Sequence, residues 1–401
     1  MMHVQISRVS NEVFEIAIRG NSVECNRSSS KYRAVRIADK CWAIVSSNRN
    51  SEKELIERAK EIASREGEGV RLADAKMAVG EFRFEKGHFD EEESLELLLD
   101  LKKNFEGFVE MILTHERICR EIETSDGADA REEKNLTDLN LSVLTKSVAS
   151  IYVGGVGGLE VVEENYEFII DEVKNRVRSL ERARYLNPLM RGIKMDVILS
   201  KETSCAFVHE IVHNLEADVL DRTLEDGNEI TVYDDPTDGF GCYNFDDEGV
   251  VAKRKCLIRD GRILYYLHTR ETAEKFKQEP MGNGRGICTI PKAFESNLFV
   301  EKGGWRFDEM IEETREGFVA EGLIKAEIQN RVIYIYPEIC WYIRNGEIVC
   351  PTIVDVIRIP LRTALKRIKA IGKEYFTRIG YEKGFAISER CPPIMINASV
   401  S

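Results

Sequence analysis

The sequence predicts an α+β fold, with an N-terminal α/β domain over residues 1–190 and a mostly antiparallel, β-rich C-terminal domain over residues 191–401. Long amphipathic helical patterns alternate with short strands in the first half. In the second half, short apolar stretches are separated by Gly and Asn turns, which is typical of antiparallel sheets. The pattern changes near residues 187–193, and a chain of 401 residues is long enough for more than one domain.

The first half contains the clearest helix signals. Residues 32–45 predict two strands around a turn at 38–40, and Ser51 begins a helix with Glu54 as its capping-box partner and Gly67 as its C-terminal cap. A second helix is predicted over 90–113, strands over 118–153, and a third helix over 161–186, which ends before Pro188.

In the second half, residues 194–199 alternate as a strand and residues 204–220 are predicted to be helical. Strands and turns follow, with further helices predicted near residues 269–276, 306–318 and 361–371. The fold class therefore rests on this contrast between the two halves.

Charge and composition argue against several classes of partner. The chain has 57 Lys and Arg against 70 Asp and Glu, a net charge of −13, which disfavours nucleic acid and anionic membrane surfaces. No apolar stretch is long enough to span a membrane, and the N-terminus does not resemble a signal peptide. The 10 cysteines form no Cys-x-x-Cys pair, so we expect reduced thiols and a cytoplasmic location.

One motif carries a strong chemical signal. His209, Glu210 and His213 form a His-Glu-x-x-His pattern on a predicted helix. Residues four apart lie on one helix face, so both imidazoles can reach a single Zn²⁺ while Glu210 accepts a proton from water. The alternative is an ordinary amphipathic helix whose histidines are partly exposed.

Two protein ligands are too few for catalytic zinc, which usually has three. The residues leave the third ligand open among Glu216, Asp218, His268 and a cysteine. Glu216 and Asp218 are also candidates for orienting the histidines, since carboxylates commonly do so around metal sites.

The metal-site helix and the segments after it resemble the TldD/PmbA family of zinc metallopeptidases, also called modulators of DNA gyrase. The helix follows the family pattern His-Glu-x-x-x-His-x-x-Glu-x-Asp with one residue fewer between the histidines. The other similar segments are residues 28–48, 231–236, 245–250, 257–264, 267–273, 282–285, 296–300 and 343–348.

The resemblance implies two domains, a dimer, and zinc held by the two helix histidines and a cysteine near the C-terminus, which corresponds to Cys391. It also makes Gly282, Asn283 and Arg285 candidates for binding substrate, although a structural turn explains them equally well.

The expected function is zinc-dependent hydrolysis of peptides or unfolded polypeptides, with Glu210 as general base. The expected partner is a second copy or a homologous subunit. The alternative is a non-catalytic subunit that pairs with a catalytic paralogue, and regulation of a DNA topoisomerase is a third possibility that the negative charge disfavours.

Overall fold

The computed structural model describes residues 2–84, 87–145, 148–219 and 222–401. Its first part is a seven-stranded sheet in the order β3-β2-β1-β5-β6-β4, with β7 also paired to β6. Neighbouring strands are antiparallel except for β4 and β6. The strands are β1 (His3–Arg19), β2 (Ser22–Ala38), β3 (Trp42–Ser47), β4 (Val79–Phe84), β5 (Phe108–Thr124), β6 (Asp129–Leu144) and β7 (Val148–Val156). The helices are α1 (Glu52–Ala63), α2 (Glu91–Lys102), α3 (Glu160–Glu163) and α4 (Tyr166–Arg182).

The capping box at the start of α1 is present, because Ser51 and Glu54 each accept a hydrogen bond from the other's backbone N–H. The helix nevertheless ends at Ala63 rather than at Gly67. A Cβ atom at residue 67 would lie 2.2 Å from the carbonyl oxygen of Lys40. The glycine is therefore explained by close backbone packing and not by a helix cap.

The helix predicted over residues 90–113 is shorter than expected. α2 buries Leu98 and Leu101, but from Val109 to His115 every second residue is buried, and the chain is strand β5. The third predicted helix also begins later, as α4 at Tyr166 after the short α3. Strand β1 was not predicted, although apolar residues alternate at both of its ends. The exposed first part of β2 was not predicted because its polar residues leave little apolar alternation.

The second part contains a six-stranded sheet, β12-β11-β10-β15-β24-β23, and a ten-stranded sheet, β17-β18-β21-β25-β9-β16-β19-β20-β8 with β22 paired to β25. A small pair, β13-β14, is separate. The strands are β8 (Arg184–Tyr185), β9 (Lys194–Leu199), β10 (Val232–Asp234), β11 (Lys255–Arg259), β12 (Arg262–Ile263), β13 (Gly284–Arg285), β14 (Lys292–Ala293), β15 (Asn297–Val300), β16 (Glu316–Glu321), β17 (Lys325–Gln329), β18 (Val332–Tyr336), β19 (Ile339–Arg344), β20 (Glu347–Ile353), β21 (Ile357–Pro360), β22 (Ile368–Ile371), β23 (Phe376–Glu382), β24 (Phe385–Cys391) and β25 (Ile394–Val400). The helices are α5 (Glu202–His213), α6 (Arg270–Phe276) and α7 (Phe307–Glu312).

Helix α5 lies between these two sheets. It contacts β23 and β24 of the six-stranded sheet and β9, β16, β17 and β18 of the ten-stranded sheet. Its residues from Glu202 to Val212 are all buried, because apolar side chains on several faces, including Phe207, Val208 and Ile211, join one large core. The helix that carries the histidines is therefore held rigidly on both sides.

A buried arginine ties α5 to the first part of the chain. Arg176 on α4 is 2 % exposed and donates hydrogen bonds to Glu202 at the start of α5 (2.5 Å), to Glu172 (2.9 Å) and to the carbonyl oxygen of Ser150 on β7 (2.6 Å). Glu338 accepts a further bond from it at 3.3 Å.

The mixed, strand-rich α+β fold confirms the predicted class. Several predicted helices are shorter: α5 ends at His213 instead of near Leu220, which lies outside the described residues, α7 ends at Glu312, and residues 368–371 are a strand. The domain division between residues 190 and 191 stays a prediction. In the part of the chain that the structure describes, no helix combines the length and apolar character needed to cross a bilayer.

Candidate metal centre

His209 and His213 lie one turn apart on the same face of α5. Their ring centroids are 4.5 Å apart with the ring planes at 82°, and their Nε2 atoms are 3.0 Å apart. His209 is 5 % exposed, because the two sheets enclose the helix. The regular helix thus directs one nitrogen of each ring to a shared point.

Glu382, the last residue of β23, completes a triangle of donor atoms. Its Oε2 lies 2.7 Å from Nε2 of His209 and 3.3 Å from Nε2 of His213. Donors bound tetrahedrally at the usual Zn–N and Zn–O distances lie about 3.3–3.4 Å from one another. The edge of 3.3 Å matches this spacing, whereas the edges of 2.7 and 3.0 Å are shorter, so a bound zinc ion would require the three side chains to move slightly apart.

Glu295, just before β15, is the fourth member of this group. One donor atom from each of His209, His213, Glu295 and Glu382 lies within 4.8 Å of the others. Glu295 is fully buried, and neither of its carboxylate oxygens has a hydrogen-bond partner in the described structure. Its nearest cationic group is the His209 ring, with Nδ1 at 3.2 Å. A buried carboxylate that accepts no hydrogen bond is costly unless positive charge neutralises it, so this donor set fits a divalent metal ion.

The other nitrogen of each imidazole faces a buried carboxylate. Nδ1 of His213 lies 2.7 Å from Oε1 of Glu216, and Nδ1 of His209 lies 2.9 Å from Oε1 of Glu389 and 3.2 Å from Oε1 of Glu295. For His213 this contact is a hydrogen bond, which favours a proton on Nδ1 and turns the Nε2 lone pair toward the metal position, as around many metal-bound histidines. Nδ1 of His209 lies within ion-pair distance of both carboxylates but makes no hydrogen bond with either of them.

The carboxylates around the two imidazole rings favour positive charge at the metal position. Burial lowers the pKa of His209, but Glu295, Glu382 and Glu389 raise it, and the net pKa is about 9. The pKa of His213 is likewise raised well above its usual value, because Glu295, Glu216 and Glu382 outweigh burial. Burial raises the pKa of Glu382, and hydrogen bonds with both histidines lower it far more. A cation therefore enters a field that already attracts it.

Glu210 follows His209 on α5 and is 6 % exposed. Burial raises the pKa of its carboxyl group, the charges of His213 and His209 lower it, and the net shift is upward. The raised pKa makes this carboxylate, next to His209 in the chain, a better proton acceptor than an ordinary exposed glutamate.

Cys391, the cysteine that the family resemblance gives as a metal ligand, is not among the four residues of this group. It pairs with Phe376 at one end of the β23–β24 hairpin, whereas Glu382 pairs with Phe385 at the other end, about 20 Å along the strand. The Cys391 thiol is fully buried beside Cys205, and burial raises its pKa well above the usual value.

Glu216, Asp218 and His268, which the sequence left open as third ligands, also lie outside the donor triangle. Glu216 lies past the end of α5 and contacts Nδ1 of His213, not the metal position. Oδ2 of Asp218 lies 3.4 Å from Nζ of Lys292. His268 pairs its Nδ1 with the hydroxyl of Thr272 at 3.1 Å, and burial lowers its pKa to about 4.

All three residues expected to bind substrate are buried, and two of them have contacts that explain them structurally. Asn283 is fully buried and donates to Asp234 at 2.9 Å while accepting from Lys255 at 2.6 Å. Gly282 has a φ of +81°, and a Cβ there would lie 2.7 Å from the Cα of Ala252, so it is a tight turn. Arg285 lines a cavity between the two parts of the chain.

Sequence reasoning missed Glu295, Glu382 and Glu389. Glu389 lies two residues before Cys391, and Glu382 precedes the turn at Lys383 and Gly384. The available signal was an acidic residue inside or next to a buried strand, where an unpaired charge is unfavourable. Nothing in the spacing of these residues indicates that they meet at α5.

Comparison with known proteins places the chain in a family. The family model for the PmbA/TldA metallopeptidase C-terminal domain matches residues 192–400, which is more than half of the chain. The chain belongs to the PmbA/TldD family. This confirms the family resemblance and the predicted class of enzyme, a metallopeptidase.

Related proteins agree with this membership. A metalloprotease of Methanocaldococcus jannaschii is 29% identical over 384 residues, covering 87% of this chain and 84% of the relative. A metalloprotease of Archaeoglobus fulgidus is 27% identical and covers 98% of both chains. The crystal structure of TldE from Thermococcus kodakarensis has a TM-score of 0.74 and 16% identity, covering 100% of this chain and 96% of that one, which shows that the fold is shared.

Proposed function

We propose that this PmbA/TldD-family chain is a zinc-dependent peptidase whose metal is held by His209, His213 and Glu382. The observation that carries the proposal is the triangle formed by the two Nε2 atoms and Oε2 of Glu382, with edges of 3.0, 2.7 and 3.3 Å. Two imidazoles and one carboxylate are a ligand set that catalytic zinc sites use, and they leave room for water or substrate.

A bound Zn²⁺ would supply Lewis acidity toward water and toward a peptide carbonyl. Glu210 would accept the proton of the attacking water and deliver it to the leaving amine, since its raised pKa suits both transfers. Glu389, Glu295 and Glu216 would hold the two rings in the orientation that exposes Nε2.

The substrate proposed is an extended peptide. β23 is an edge strand of the six-stranded sheet and ends at Glu382. An edge strand has unpaired backbone groups, to which a peptide can add as a further strand. A peptide bound in this way would run toward the metal position.

Metal analysis and peptide hydrolysis test the proposal together. We expect one zinc per chain in the purified protein, loss of that zinc in His209→Ala, and retention in the control His268→Ala, whose histidine lies outside the group. Glu210→Gln should keep the zinc and lose hydrolysis. A chain that binds no zinc would contradict the proposal, as would a Glu210→Gln variant that keeps full activity.

We also propose that the chain acts as a dimer, either with a second copy or with a homologous subunit. Sedimentation of the purified chain separates these possibilities. A dimer formed by this chain alone would support the homodimer. A monomer that gains activity only when a homologous chain is added would favour the non-catalytic or heteromeric role. The cytoplasmic location and the exclusion of nucleic acid stay predictions.

A further inference from the structure

A cavity of about 430 Å³ lies between the first sheet and the hairpin that carries Glu382. Its walls include Tyr381, Gly384, Phe385 and Ala386 of that hairpin, on the side of the C-terminal part, and residues of β1, β2, β5 and β6 on the other. A cavity of this volume can hold a few amino-acid residues of a ligand.

Arg285 is the unusual group in this cavity. It is 7 % exposed, and its Nε and Nη1 atoms have no hydrogen-bond partner in the described structure. The nearest carboxylate oxygen, Oδ2 of Asp247, lies 3.8 Å from Nε, which is beyond hydrogen-bond distance. A buried guanidinium that leaves donors unused is costly, so a missing acceptor is expected.

Aromatic rings hold this guanidinium in place. Its central carbon lies 4.5 Å from the ring centroid of Tyr243 and 4.2 Å from that of Phe385. Stacked in this way, an arginine keeps its planar edge available for a flat anionic group, which it can bind through two parallel hydrogen bonds.

The other cationic side chains that line the cavity already have hydrogen-bond partners. Arg120 donates to Asp247 and to Glu132, each at 2.7 Å, and Nζ of Lys134 donates to the carbonyl oxygen of Cys242 at 2.9 Å. The lining contains three cationic side chains, Arg120, Lys134 and Arg285, against two carboxylates. Glu132, the partner of Arg120 outside the lining, is a third carboxylate, so the case for a further acceptor rests on the unused Nε and Nη1 donors of Arg285 and not on net charge.

The cavity lies close to the metal group. The ring of Phe294 is 5.9 Å from that of His213 and 5.8 Å from that of Phe385, and Phe385 contacts Arg285. The path from the ring of His213 through Phe294 and Phe385 to Arg285 is therefore on the order of five residues of extended chain or fewer, at ~3.3 Å per residue.

We propose that Arg285 binds a carboxylate group of the peptide substrate in this cavity and so positions the chain relative to the metal centre. The proposal depends on the proposed peptidase function in one respect only, which is that the ligand is taken to be a peptide. The carboxylate belongs either to the C-terminus of the peptide or to an acidic side chain.

Direct binding by calorimetry separates this inference from the proposed function. The probes are acetylated tetra-alanine with a free C-terminus, the same peptide as its C-terminal amide, and an amidated variant with one Glu in place of Ala. They are titrated into the full-length chain and into Glu210→Gln, which is expected not to hydrolyse them. We expect at least one carboxylate peptide to bind about tenfold more tightly than the neutral amide, and which of the two does so identifies the source of the carboxylate.

Arg285→Met should abolish this preference, and Arg285→Lys, which keeps the charge, should retain part of it. The matched control is Arg254→Met, because Arg254 also stacks on two rings, Tyr233 and Phe299, but does not line the cavity. Equal binding of all three peptides by the unaltered chain would overturn the inference even if no variant folds. An unchanged preference in a folded Arg285→Met chain would do the same, whereas loss of hydrolysis or zinc alone would count only against the proposed function.

Discussion

The Nε2 atoms of His209 and His213 lie 3.0 Å from each other, while each ring's Nδ1 lies within 3 Å of a buried glutamate. Two nitrogen lone pairs at that distance repel each other unless a proton or a cation lies between them. The surrounding carboxylates make positive charge favourable there, and this is the physical basis of the proposed metal site.

Replacing Glu382 distinguishes the carboxylate from the cysteine as third ligand. Glu382→Ala removes the donor that lies 2.7 Å from His209, so we expect zinc affinity to fall by at least about 100-fold. Cys391→Ser should leave it nearly unchanged, since that thiol lies beside Cys205 and outside the donor group. Zinc titration with a competing chelator measures both, and the reverse ranking would restore Cys391 as the ligand.

The carboxylate next to Nδ1 of each histidine should change the zinc affinity without binding the metal itself. Glu216→Gln keeps the size of the side chain but weakens the interaction with Nδ1 of His213, and we expect zinc affinity to fall about 10–100-fold. Asp218→Asn is the matched control, because Asp218 faces Lys292 instead of a histidine. Equal losses in the two variants would show that general charge, not orientation of the ring, is responsible.

The stability of the metal-free chain should decrease as the pH rises above neutrality. The pKa of His209 is about 9 in the fold and 6.5 ordinarily, so the folded state holds this proton more tightly. Its stabilisation is therefore complete below about pH 6.5 and is lost as the pH approaches about 9. Urea unfolding across this interval should show a falling midpoint.

His209→Gln should flatten that pH dependence. His268→Gln should not, because the pKa of His268 is lowered to about 4 and its protonation affects stability only at lower pH. A midpoint that rises between pH 6.5 and 9 in the unaltered, metal-free chain would contradict the assigned direction of the His209 shift.

The buried arginine network should be important for stability. Arg176→Ala leaves Glu172, Glu202 and Glu338 without their shared cation in a buried environment, and we expect unfolding to become easier by about 3–5 kcal/mol. Arg306→Ala is the control, since Arg306 is an exposed residue paired with exposed acids, and should change stability by about 0.5 kcal/mol or less. Denaturant titration compares the two.

Short, local patterns were the most predictable part of the fold. The capping box of Ser51 and Glu54 and the alternating strand at residues 194–199 depend on neighbouring residues, and both are present. The end of α2 was not predictable, because its leucines continue into a strand whose apolar residues also satisfy a helical period.

The sequence by itself determined that His209 and His213 lie on one helix face with Glu210 next to the first of them, since a four-residue spacing stacks two side chains on any regular helix. Only the tertiary structure decided which other side chains lie next to these residues. Glu382 comes from strand β23 and Glu295 from the segment just before β15, while Cys391 lies at the opposite end of the hairpin that carries Glu382. Contacts between residues so far apart in the chain depend on strand register and packing, which no local pattern encodes.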